Sequence, residues 1–202
     1  MSPTLFGAFA ALGMAVLVVR RRSLAVGLVT IQSLILVSLA LKGAAGAQEW
    51  IAAGALAARS LGLATFFLWL IARTRDPRLV RAGAGPMVRA GLGATLALAL
   101  TWLVPTFGLA SRDAERVVLA LVAFGLVIAA TRRATLFQIL GVVLVENGLV
   151  LGALELPATS WLIEIGVAVD LTLIALVAGV FHDRIFAEFG SGDTEALRSL
   201  SD

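Results

Sequence analysis

Residues 132–155 read RRATLFQILGVVLVENGLVLGALE, and this stretch decides how the rest of the chain is read. Two arginines open an apolar run of about 20 residues, which at 1.5 Å per residue crosses a hydrocarbon core of ~30 Å. One carboxylate, Glu146, sits near the middle of the run beside Asn147. An ionised acid at that depth is costly, so such residues face a bundle interior or a water path and mark function by default. The competing reading makes Glu146 a neutral, hydrogen-bonded packing residue. Gly148 and Gly152 form a GxxxG step that admits another helix at close range.

The composition agrees with a membrane chain. Hydrophobic residues make up 60% of 202 and the mean hydropathy is +1.00, against ~45–50% apolar residues in soluble domains. With no cysteine, the chain carries no iron–sulfur cluster, disulfide or redox thiol, and the single His182 argues against a histidine metal site. No nucleophile–base set is legible, so a self-contained enzyme with its own cofactor is not expected. The basic balance rests on fifteen arginines and one lysine that gather at segment ends, which speaks for membrane orientation and not for nucleic acid.

Seven apolar segments are expected, over about 4–19, 23–41, 50–72, 86–108, 115–131, 134–154 and 158–181. The expected fold is all-α and polytopic. Met1–Val19 reads as a retained first helix, because its basic cluster Arg20, Arg21 and Arg22 follows the apolar run instead of preceding it. One side of the membrane receives Arg20, Arg21, Arg22, Arg73, Arg75, Arg78, Arg81, Arg89, Arg132, Arg133, Arg184 and Arg198. The other receives Lys42, Arg112 and Arg116, with the acids Glu49, Asp113, Glu115 and Glu155. Twelve cations against three is a positive-inside pattern, which places the N-terminus outside and the C-terminus in the cytoplasm.

Four charged residues lie inside the segments away from their ends, Glu146 among them. Arg59 is too deep in the third segment to snorkel and needs a carboxylate or water; a static ion pair and a functional role are equally open. In the seventh segment, Glu164 lies about one turn inside Trp161 and Asp170 about 13 Å in. Segments six and seven are joined by a short turn, so they are antiparallel and place Glu146 and Asp170 level with each other and with Arg59. Two acids and a base at one depth make a lateral proton relay, with Glu164 at its entry or in packing. In segment two, Gln32 wants a partner, whereas Thr30 and Ser33 can satisfy themselves on their own backbone. Pro105 either kinks or ends the fourth segment.

Val145-Glu146-Asn147-Gly148, the stretch WLIEIGVAVD at 161–170 and the tail FGSGDTEALRSL at 189–200 carry a family resemblance. The chain resembles the hydrogenase-4 component E family of formate hydrogenlyase-like complexes. Its last three segments are similar to the K subunit of complex I and the C subunit of multisubunit sodium/proton antiporters. The likeness covers about residues 132–200. It implies a four-helix extension over 1–113, a three-helix K-like module over 114–183 and a cytoplasmic tail over 184–202. It also implies mid-membrane acids at Glu146 and Asp170, the latter an aspartate where the family usually has glutamate. The lysine of the third helix falls on Arg59, and arginine hardly ever deprotonates. Arg59 would then be a fixed charge and not a proton carrier.

The expected function is a proton-translocating membrane subunit of a complex I-like, group 4 hydrogenase-type oxidoreductase complex, with antiporter-like subunits as partners and the redox chemistry elsewhere. The alternatives are a small subunit of a cation/proton antiporter and a non-conducting structural subunit. The long N-terminal extension favours the first over the antiporter.

Overall fold

A computed structural model describes residues 2–73, 84–106, 108–109, 111–156 and 179. Among these residues every regular element of length is a helix: α1 (Pro3–Val18), α2 (Arg22–Gly43), α3 (Ala47–Arg73), α4 (Pro86–Leu103), α5 (Arg112–Thr131) and α6 (Thr135–Glu155). Five of them, α2 to α6, are long and apolar enough to cross a membrane, and α1 is a shorter apolar helix of 16 residues. The chain is a multi-pass membrane protein. The seventh expected segment, except for Gly179, lies outside the described residues.

Local chemistry sets the helix ends. Pro3 and Pro86 occupy the first turns of α1 and α4, where the missing N–H is not needed. Ser111 caps α5 by accepting from the Ala114 N–H at 3.1 Å, and Asp113 and Glu115 complement the helix dipole in that first turn. Glu49 reaches back to accept from the N–H groups of Ala45 and Gly46. The α4 helix stops at Leu103, so Pro105 follows the helix and does not kink it.

Polarity runs inside out. Gln32, Asn147 and Glu146 are fully buried, while Met87, Trp102 and Leu103 are 85%, 88% and 78% exposed. Water would penalise that arrangement, whereas hydrocarbon rewards it, since lipid accepts the leucines and the bundle interior shelters the amides. Between apolar helices in lipid there is little hydrophobic drive, and association depends on close contact. Glycine supplies it here. A Cβ at Gly141 on α6 would fall 2.6 Å from the Gly125 carbonyl on α5, and one at Gly148 would fall 3.1 Å from Leu121 Cβ. The helix met by the GxxxG step is therefore α5. Phe124 on α5 fills the space left by Gly13 on α1 and Gly93 on α4.

Both α1 and α4 pack on α5, while α2 packs on α1, α3 and α6. The helices before and after residue 113 thus share one core. Gly179 is buried against the Phe66 ring of α3.

Candidate functional site

The α2, α3 and α6 helices enclose a polar layer. Arg59, Gln32 and Glu146 each lie in the middle third of their helix, with Ser33 and Asn147 one residue on from Gln32 and Glu146. Arg59 is 8% exposed, Ser33 4%, and Gln32, Glu146 and Asn147 are at 0%. The layer divides into two parts with different degrees of closure.

The neutral part is a closed chain of hydrogen bonds. Ser33 Oγ donates to Asn147 Oδ1 at 3.1 Å, and Asn147 Nδ2 donates to Gln32 Oε1 at 3.0 Å. Gln32 Nε2 in turn donates to the Phe9 carbonyl on α1 at 3.2 Å. Three helices are tied by side chains whose alternative, in lipid, is to go unpaired. Ser33 departs from the usual habit of a membrane serine. Ser60, Thr101 and Thr131 each donate to the carbonyl four residues back, while Ser33 turns outward to Asn147.

The charged part is open. Arg59 Nη2 and Glu146 Oε2 form an ion pair across α3 and α6. Apart from that contact, Arg59 Nε and Nη1 and Glu146 Oε1 have no hydrogen-bond partner among the described residues. Asn147, next along α6, faces the neutral chain, so adjacent residues of one helix serve the two halves of the layer. Chemically, the pair can hold or release one proton at Glu146, since a guanidinium keeps its own.

The structure thus brings Arg59 and Glu146 together. Glu164 and Asp170 lie outside the described residues, and so does any contact they make with this pair. Sequence reasoning flagged Gln32 as needing a partner but expected Ser33 to bond its own backbone, whereas it donates to Asn147, and it placed nothing of interest on α1, whose Phe9 carbonyl completes the chain. The available signal was Asn147, the one asparagine in the sequence, directly after the buried acid. Comparison of the chain with family models, curated proteins and solved structures finds no match.

Proposed function

We propose that this chain is a proton-translocating membrane subunit of a complex I-like, group 4 hydrogenase-type redox complex. In this reading Glu146 takes up and passes on a proton, with Arg59 as a fixed cation beside it. The supporting observation is the unequal closure of the polar layer. A buried ion pair kept only for packing needs its remaining lone pairs and N–H groups satisfied, because desolvation otherwise exceeds the Coulombic gain. The Gln32–Asn147–Ser33 chain meets that standard, while the Arg59–Glu146 pair keeps an oxygen and two nitrogens open among the described residues. Open, buried, oppositely charged groups at mid-depth are where a proton path passes.

Protonation of Glu146 cancels its attraction for Arg59 and frees the guanidinium to turn towards another acceptor. Deprotonation restores the pair. Asp170 is the proposed second carboxylate of the relay and Glu164 its entry, on the resemblance set out above. The positive-inside charge pattern orients the C-terminus to the cytoplasm and the apolar segments give seven helices, while the inner membrane follows from the resemblance.

The test is Glu146→Gln in the native complex, with hydrogen-driven proton uptake followed by a ΔpH dye in inverted membrane vesicles. Glutamine keeps the volume and can still accept from Arg59. Expected is an assembled complex, seen on native gels, with proton uptake lost. Full uptake by the assembled variant overturns the proposal.

A further inference from the structure

Where α4 ends and α5 begins, the bundle buries another carboxylate. Glu115, in the first turn of α5, is 6% exposed, and no cation among the described residues forms an ion pair with it. Its one hydrogen bond comes from the Gly108 N–H, which donates to Oε1 at 3.1 Å. Gly108 turns that N–H towards Glu115 at a φ of +78°, a left-handed conformation that glycine adopts without steric cost. The other oxygen, Oε2, has no partner among the described residues. A buried carboxylate left in that condition calls for a cation.

Glu115 lines a pocket of about 210 Å³ with Trp102, Pro105 and Leu119, and with Arg112 and Arg116 of its own helix. Both arginines are exposed. Arg116 is engaged with Asp113 at 3.4 Å, while Arg112 makes no hydrogen bond or ion pair among the described residues. Residues three apart on a helix are placed to pair. Arg112 and Glu115 do not, and both face the pocket instead. The pocket therefore offers one open guanidinium and one open carboxylate to whatever enters it.

Its surroundings are those of a membrane interface. Trp102 is 88% exposed at the pocket rim, where an amphipathic ring sits at headgroup level. The walls then lead into hydrocarbon. Leu119 shares a face of α5 with Leu126, and Trp102 shares a face of α4 with Ala99. Leu126 and Ala99 line an apolar groove between the same two helices. A polar pocket at the head of an apolar seam suits a molecule with a charged head and a greasy tail.

We infer that this pocket binds the headgroup of a zwitterionic phospholipid with a primary ammonium, the ammonium on Glu115 and the phosphate on Arg112. The ammonium donates to the open Oε2, and the guanidinium donates to phosphate oxygens; both contacts are charge-assisted. One cation and one anion on the lipid meet one carboxylate and one guanidinium on the protein, so the pocket closes without net charge. The inference stands whether or not Glu146 carries protons.

The experiment uses the full chain purified in detergent, with native mass spectrometry reading the lipid it retains. Phosphatidylethanolamine, phosphatidylcholine and phosphatidylglycerol with identical acyl chains are added in equal amounts. Phosphatidylethanolamine should be retained about tenfold better than either, because only its headgroup brings a charged N–H donor to the carboxylate. Glu115→Gln still offers an acceptor to the Gly108 N–H and should remove the preference over phosphatidylcholine. Arg112→Gln, at an exposed position, should lower phosphatidylethanolamine retention about tenfold. Equal retention of phosphatidylethanolamine and phosphatidylcholine by the unaltered chain overturns the inference. So does an unchanged preference in Glu115→Gln, or unchanged retention in Arg112→Gln. Free phosphoethanolamine at equal concentration should leave the lipid bound; displacement by it would make the site one for a soluble zwitterion and overturn the inference as well.

Discussion

Arg59 on α3 and Glu146 on α6 form an ion pair in the middle of the bundle, with α2 packed against both of their helices. The pair is thus made by a long side chain spanning a gap, and not by two helices that touch along their length. That geometry has a consequence for energetics. Replacing both partners by apolar groups can be close to neutral, while removing one leaves a buried charge and costs about 3–5 kcal/mol. The pair is held in place by the cost of breaking it on one side only.

Asn147→Leu removes the acceptor used by Ser33 and the donor used by Gln32. Hydrogen bonds between membrane helices average ~0.6 kcal/mol, so the two together are worth about 1 kcal/mol. The unfolding midpoint in mixed micelles should fall accordingly, while the charged half of the layer is left unchanged. A loss of several kcal/mol would mean that the two halves are coupled.

Gly141→Ala should be far more harmful than its single methyl group indicates. The new Cβ would meet the Gly125 carbonyl at 2.6 Å and the Ala129 nitrogen at 3.0 Å, backbone atoms that yield only if the helices part. The expected loss is about 1–3 kcal/mol. Gly54→Ala on α3 is the control, since a Cβ there meets nothing within 4 Å. It should be neutral or gain up to ~1 kcal/mol from helix propensity. Equal effects at the two sites, measured by the same unfolding assay, would refute the close α5–α6 crossing.

How much of this was legible in the sequence depends on whether a residue carries its own signal. Helix positions followed from apolar run length, with ends shifted by a few residues where caps such as Ser111 and Glu49 lengthened the helix. Arg59 and Glu146 stood out because a charge at mid-membrane is conspicuous wherever its partner lies. Gly125 and Gly141 did not, since one glycine in an apolar helix looks like any other until the opposing helix is in place. Arg89 and Arg132 read as surface charge of the positive-inside kind. Their burial against the carbonyls of α1 depends on how three helix ends converge, which no local pattern records.

The alternation of helix directions puts Ser23 and Gln48 at opposite ends of the bundle, and both are exposed. The chain has no cysteine, so Ser23→Cys and Gln48→Cys each introduce one label site without a background. A membrane-impermeant maleimide should reach only one of the two in sealed cells. From the charge distribution, Gln48→Cys is the one labelled from outside and Ser23→Cys from the cytoplasm. The reverse result would turn the proposed topology over, and labelling of both from one side would contradict the helix order itself.

The sharpest separation of a proton role from a packing role comes from combining Arg59→Gln with Glu146→Gln. Arg59→Gln alone strands a carboxylate at 0% exposure, and about 3–5 kcal/mol of lost stability should appear as reduced assembly. In the double variant both charges are gone, so no buried carboxylate or guanidinium is left uncompensated. Assembly should then recover towards the wild-type level. Proton uptake should not, because no group at this position can any longer bind and release a proton. The two readouts, assembly on native gels and ΔpH in vesicles, thus part company only if Glu146 carries protons. A double variant that regains both would make the pair a structural tie, and the proposed function would fall with it.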